Sequence, residues 1–284
     1  MEMTNRIGQP VVVIGMHRSG TSMLTRFLNN YHIFMGEKVD QNGEAISFLK
    51  INEKIMHMCD STWFNVKKLD KQLYIRQDEF VELYLALIES KKHQKSFFGN
   101  NDIDKMENDY SWGWKDPRNT LMIDIIKKIF PRAKIIHIYR NPIDVANSLK
   151  VREKKFTSAG KLKWYYNVLK NYLRKGIYVE RSPELENLNC GIKLWFEYVD
   201  KAFKYDGDIM HIRYENFLDS SDKIFEKICE FLNLEIDQAK IDDICNSINK
   251  DRKYSFINDD ELVTYYKTIQ NDELIKKLNY HKIV

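Results

Sequence analysis

Cysteine is scarce in this sequence and shows no pattern. Cys59, Cys190, Cys229 and Cys245 form no C-x-x-C pair and have no histidine partners at zinc-site spacing. A disulfide scaffold and a zinc-finger-type site are thereby excluded, and the thiols are expected to be reduced and in the core. No stretch reaches the roughly 20 consecutive apolar residues that a membrane-spanning helix needs. The apolar run inside MEMTNRIGQPVVV is too short for a signal peptide, so the expected location is cytoplasmic. Internal repeats and low-complexity linkers are also lacking. Positive charge is in modest excess only: a net charge of +4 and a pI near 8.6 suit an anionic ligand but fall short of a nucleic-acid binder. With 43% hydrophobic and 30% charged residues, the chain has the composition of an ordinary soluble protein. Its 284 residues suffice for one large α/β domain with a well-buried core or for two small ones, and a single domain over 1–284 is expected.

A further absence is local. Val11 to Ile14 are apolar and mostly β-branched, as in a strand buried on both faces. Gly15 opens a turn that closes at Gly20, and Met23, Leu24, Phe27 and Leu28 then recur at helical spacing. Strand, glycine-bounded loop and helix make a phosphate cradle, in which backbone N–H groups and a helix N-terminus face an anion. The glycine spacing is that of the frame G-x-x-x-x-G-K-S/T, but Thr21 stands where a nucleotide triphosphatase carries lysine. The loop's cation is Arg18, accompanied by Ser19, Thr21 and Ser22 as hydroxyl donors. Such a loop suits one phosphate-like group beside a transferable group better than a triphosphate–metal complex.

The string G-M-H-R-S-G-T-S (Gly15 to Ser22) resembles the 5′-phosphosulfate loop of sulfotransferases that use 3′-phosphoadenosine 5′-phosphosulfate (PAPS), closest to the branch that includes bacterial enzymes and is related to the tyrosylprotein and carbohydrate enzymes. The resemblance implies a P-loop NTPase-like three-layer α/β fold with a mainly parallel central sheet flanked by helices. It also implies that His17, Arg18, Ser19, Gly20, Thr21 and Ser22 contact the donor. G-W-K-D-P-R (Gly113 to Arg118) recurs in the same branch. A lysine leaving the carboxyl end of a parallel strand points at the site. Lys115 is therefore expected to meet the sulfuryl group and the bridging oxygen. Asp116 and Arg118 also read as an internal salt bridge.

The second half of the expected donor site follows at once. AKIIHIYR (Ala133 to Arg140) reads as a buried strand, and NPIDVANSLK as a helix with Pro142 at its first position. In PAPS enzymes an R-N-P-x-D-x-x-x-S pattern of this kind holds the 3′-phosphate, which assigns that role to Arg140 and Ser148. Arginine suits it through bidentate hydrogen bonds to phosphate oxygens.

Glu44 is expected in the first turn of a helix over 44–58, where it gains from the helix dipole. It also falls where related enzymes place the acidic residue that removes the acceptor's proton, with His17 the next base to test. Helices are further expected over 78–92, 120–130 (with Asn119 as its cap), 183–204, 236–249 and 259–280, and an irregular segment over 93–110. RYEN (Arg213 to Asn216) resembles the family segment after the last main strand, as a turn in which Tyr214 either approaches the adenine or walls the core. Arg252 lies in a polar loop where related enzymes bring late basic residues over the nucleotide. The basic, aromatic segment 151–175 reads as a solvated helix face, or as a lid over the site or a surface for an acidic or sugar-rich acceptor.

The expected activity is transfer of a sulfuryl group from PAPS to a hydroxyl-bearing acceptor, such as a saccharide, releasing PAP without a metal. Protein cations suffice to neutralise a sulfuryl group. A P-loop nucleotide kinase or NTPase with an atypical loop and an inactive nucleotide-binding scaffold are the competing functions.

Overall fold

In the computed structural model, residues 7–100, 108–157 and 182–284 are described. The segment 158–181, which holds most of the basic, aromatic stretch, lies outside them. Along the chain come β1 (Val11–Ile14), α1 (Thr21–Asn30), α2 (Ile46–Met58), α3 (Leu69–Ile75), α4 (Gln77–Ile88), α5 (Lys91–Phe97) and β2 (Gly113–Lys115). A 3-10 turn (Pro117–Thr120), α6 (Ile123–Ile129), β3 (Lys134–Tyr139) and α7 (Pro142–Thr157) follow. Then come α8 (Leu188–Lys204), β4 (Ile209–Arg213), α9 (Tyr214–Asp219), α10 (Ser221–Leu232), α11 (Gln238–Asn246), α12 (Asp260–Ile269) and α13 (Glu273–Lys277). Among the described residues no helix is long and apolar enough to cross a membrane.

Two compact units partition the chain: Met1–Tyr139 with Lys201–Lys250, and Arg140–Asp200 with Asp251–Val284. The first holds the expected parallel sheet, in the order β2-β1-β3-β4. β1 is fully buried, as its unbroken Val-Val-Val-Ile requires of a central strand. Each such side chain removed from water stabilises the fold by about 1.5–3 kcal/mol. Its neighbours are β2 on one side and β3 on the other, so the strand order reverses beside β1. In open parallel sheets ligands bind at the carboxyl ends of strands where the order reverses, and the Gly15–Gly20 loop leaves β1 there. One face is sealed by Phe27 of α1 stacked on Phe225 of α10 at 4.0 Å. Phe48 of α2 stacks on Trp114 of β2, also at 4.0 Å, which ties α2 to the sheet.

The second unit has its own core, in which Ile143 and Ala146 of α7 and Leu188 and Ile192 of α8 gather with Phe256, Leu262 and Tyr266. Pro142 opens α7, where its missing N–H costs nothing.

Several expected boundaries shift. The 78–92 helix ends at Ile88, because Ser90 caps a new helix, accepting from the His93 N–H at 3.2 Å. That new helix, α5, replaces the irregular run expected from residue 93. Asn119 caps nothing; it is buried and accepts from Asn52 and Trp114, and α6 starts only at Ile123. Tyr214 to Asn216 open a helix instead of a turn. The terminal helix breaks where Asp272 accepts from the N–H groups of Leu274 and Ile275. All four cysteines are free thiols, Cys59 and Cys229 buried, Cys190 and Cys245 half-buried.

Candidate active site

The Gly15–Gly20 loop adopts a path that side chains resist. Gly15 (φ 139°) and Gly20 (φ 102°) lie in the left-handed region. A Cβ would stand 2.3 Å from the Ile138 carbonyl oxygen at Gly15, and 2.8 Å from the Tyr214 ring at Gly20. The two glycines of the motif thus let the loop close on β3 and on a buried aromatic. Tyr214 shares the core with Val13, Met23 and Ile138. Arg18, exposed, also carries a positive φ of 74°. The Gly15 N–H donates to Thr120 Oγ1 at 3.0 Å, and His17 packs its ring on Trp63 at 4.5 Å.

Gly20 precedes α1 and no side chain caps that helix, whose first residue, Thr21, is buried. The Ser19 hydroxyl is fully buried, with no hydrogen-bond partner among the described residues. A phosphate or sulfuryl oxygen would satisfy this hydroxyl and the helix end together, so the residues present fit such a group.

Beside the loop lies a cluster built by a turn. Asp40 accepts from the N–H groups of Asn42 and Glu44, each at 2.8 Å, and Gly43 (φ 77°) lets the turn close. The Asn42 carbonyl is thereby presented to two donors: Ser22 Oγ of α1 at 2.6 Å and Lys115 Nζ at 3.0 Å. Lys115, the last residue of β2 and 1% exposed, also meets Glu44 Oε1 at 3.3 Å. The Ala45 N–H donates to the Lys115 carbonyl at 3.2 Å, which fixes Glu44 next to the lysine.

Glu44 thus precedes α2, whose N-cap is Ala45, so the expected first-turn position is corrected. Ion pairs replace the helix dipole as its partner: its Oε2 faces Arg118 Nη1 at 3.4 Å. Burial, and next the Asp116 carboxylate, push the Glu44 carboxyl above the usual range, while Lys115 and Arg118 pull it back. Such a carboxylate takes up a proton more readily than an exposed one. Ser22, Lys115 and Glu44, named from the sequence, are therefore joined by direct contacts around one carbonyl.

The other named residues lie in the second unit. Arg140, its first residue, is buried; its Nη2 donates to Asp144 Oδ2 at 2.9 Å and to the Arg252 carbonyl at 2.6 Å. Arg140 and Arg252 are thus brought together, with the Arg252 side chain exposed. Ser148 is half-buried, two turns into α7. Asp144 further accepts from Asn141 Nδ2, Ser255 Oγ and the Phe256 N–H, at 2.8, 2.8 and 2.9 Å.

Sequence reasoning missed Asp40 and the contact of Arg118 with Glu44. The first had a signal in Asp-Gln-Asn-Gly, a turn composition. The second, between residues 74 apart, had none. Among the described residues no group of three or more His, Cys, Asp or Glu side chains could hold a metal ion.

A family model described as the sulfotransferase family matches residues 10–238. Solved structures similar to this chain include sulfotransferase STF9 from Mycobacterium avium, at 14% identity and a TM-score of 0.42, over 87% of this chain and 72% of that one. A sulfotransferase from Alicyclobacillus acidocaldarius is 18% identical with a TM-score of 0.44, over 81% of this chain and 83% of that one. Retinol dehydratase in complex with androsterone and inactive cofactor PAP is 16% identical with a TM-score of 0.38, over 87% and 67%. No curated protein matches.

Proposed function

The chain belongs to the sulfotransferase family, and from that premise we propose that it transfers a sulfuryl group from PAPS to an acceptor hydroxyl, releasing PAP. The observation that carries this reading is the contact of Glu44 with Lys115, joined through the Asn42 carbonyl to Ser22 at the start of the phosphate-type loop. PAPS supplies an activated sulfur, bonded through oxygen to a 5′-phosphate.

Glu44 takes the proton of the acceptor hydroxyl as the new oxygen–sulfur bond forms. Its burial raises its proton affinity, and Lys115 keeps it ionised until then. Arg18, Lys115 and the loop N–H groups meet the charge that develops as the old sulfur–oxygen bond breaks and its electron pair stays on the phosphate oxygen. His17, Ser19, Gly20, Thr21 and Ser22 hold the 5′-phosphosulfate. Arg140 and Ser148 hold the 3′-phosphate, with Arg252 next to Arg140 and Tyr214 behind the loop. Saccharide hydroxyls are the acceptor class to test first, in a cytoplasmic enzyme.

Calorimetry with PAP and with ATP–Mg²⁺, followed by transfer of labelled sulfate from PAPS across saccharide, lipid, peptide and small-metabolite acceptors, tests the reading. Tight PAP binding and labelled product are expected. ATP–Mg²⁺ binding in place of PAP would make the chain a nucleotide kinase or NTPase, and binding of neither a scaffold.

A further inference from the structure

Arg118 is held by three carboxylates. Its Nη1 contacts Asp116 Oδ1 at 3.0 Å and Glu44 Oε2 at 3.4 Å, while its Nη2 contacts Glu53 Oε1 at 3.1 Å. Its backbone N–H also donates to Asp116 Oδ1, at 3.0 Å, where Asp116 caps the 3-10 turn. One carboxylate therefore fixes both ends of this residue.

The anchor extends further. Asp116 Oδ2 and Asn119 Oδ1 both accept from Asn52 Nδ2, at 2.9 and 2.8 Å. Asn52 and Glu53 are neighbours on α2, the helix that starts two residues after Glu44. The guanidinium is thus tied to the turn that follows β2 and to the helix that follows Glu44. Only a planar fork reaches three carboxylates in this way, and a lysine's single ammonium does not.

Lys115 and Arg118 approach Glu44 from different oxygens, and their surroundings differ. Lys115 ends β2 and also donates to the Asn42 carbonyl, which it shares with Ser22 of α1. Arg118 reaches from the turn to α2, where its Nη2 meets Glu53. The charged groups bearing on Glu44 are Lys115, Asp116 and Arg118 from β2 and its turn and Asp40 from its own turn, with Glu53 of α2 acting through Arg118.

We infer that Arg118 is a positioning residue for the transfer reaction proposed above: it holds the Glu44 carboxylate ionised and in place, and leaves Lys115 to serve the reacting oxygens. The inference rests on Glu44 being the base. Lys115 contributes to the same end but cannot be the lasting counterion of Glu44 if its charge is also drawn to the transferring group. Arg118, clamped on Asp116 and Glu53, remains where it is throughout.

Two readouts test this, one of them independent of turnover. The Glu44 carboxyl is titrated by carbon-13 NMR, its signal assigned by its absence in Glu44→Gln. In Arg118→Gln the midpoint moves to higher pH, because a cation that favours the ionised form is gone. The acidic limb of the kcat profile moves with it, and kcat at neutral pH falls about 10- to 100-fold, with KM for PAPS unchanged. Arg118→Lys returns the midpoint towards its native value while kcat recovers only in part, since the fork is missing.

Glu53→Gln, which keeps the guanidinium but loosens its clamp, gives a smaller shift of the same sign and covers the case in which Arg118→Gln does not fold. An unmoved midpoint in the folded variants overturns the inference, whether or not the wild type transfers sulfate. Retained turnover in Glu44→Gln overturns the base assignment instead, whatever the Arg118 variants do.

Discussion

Asp144 in the second unit and Glu44 in the first are both buried carboxylates bonded to arginine, yet their surroundings are unlike. Asp144 accepts four hydrogen bonds at 2.8–2.9 Å, two on each oxygen, from a guanidinium, an amide, a hydroxyl and a backbone N–H. An ionised carboxylate has about four acceptor sites, so Asp144 is saturated. Among the described residues Glu44 accepts from two cations, at 3.3 and 3.4 Å, beyond the usual N–H···O range. The first pattern describes a fastener between Arg140 and the segment carrying Ser255 and Phe256. The second describes a group with acceptor capacity in reserve and an elevated proton affinity. Both carboxylates are buried, so burial alone does not distinguish them; the number and length of their bonds do.

The contrast breaks most sharply under matched isosteric substitutions. Glu44→Gln is expected to lower kcat by about 10²–10⁴, with PAP affinity by calorimetry unchanged. A variant with near-native turnover would mean that Glu44 is as structural as Asp144. Asp144→Asn acts the other way: chemical denaturation should show a loss of about 3–5 kcal/mol, since the buried Arg140 guanidinium loses its counter-charge. PAP binding should weaken by at least about tenfold in the same variant.

The smallest expected effect is on the stability of the first unit. A carboxyl whose proton affinity is raised by folding favours the folded state most when protonated, and that contribution is lost as pH rises through its folded value. At neutral pH, Glu44→Gln relieves that burial but leaves the Lys115 ammonium, 1% exposed, without its carboxylate, so it should lower stability by less than Asp144→Asn does. A fall in Tm as large as that of Asp144→Asn would show that its two ion pairs outweigh its burial.

What the sequence discloses divides along similar lines. β1, the loop, β3 and the start of α7 were legible because each is specified locally, by β-branched runs, by glycines where positive φ is needed, and by Pro142 at a first helical position. The parts of the cluster that depend on tertiary contact were not. Apolar spacing carries a helix back to Glu44, yet Asp40 draws that residue into a turn. Apolar periodicity also runs straight through Ser90 and Asp272, although each is a capping residue type whose side chain restarts a helix. Asn119, a plausible cap by composition, is instead claimed by Asn52 and Trp114 from the core. Arg118 and Glu44 are joined only because β2 and α2 pack side by side, a relation that no spacing encodes.

The ammonium of Lys115 has three protons, and two are taken up by the Asn42 carbonyl and Glu44. The third allows the lysine to touch a further oxygen without abandoning either neighbour. In the proposed reaction this gives the two halves of the chemistry a common clock. When Glu44 is neutralised by the incoming proton, the electrostatic pull between it and the lysine fades, and that pull transfers to the oxygen on which electrons are accumulating. In that proposal one side chain couples proton removal to departure of the PAP phosphate.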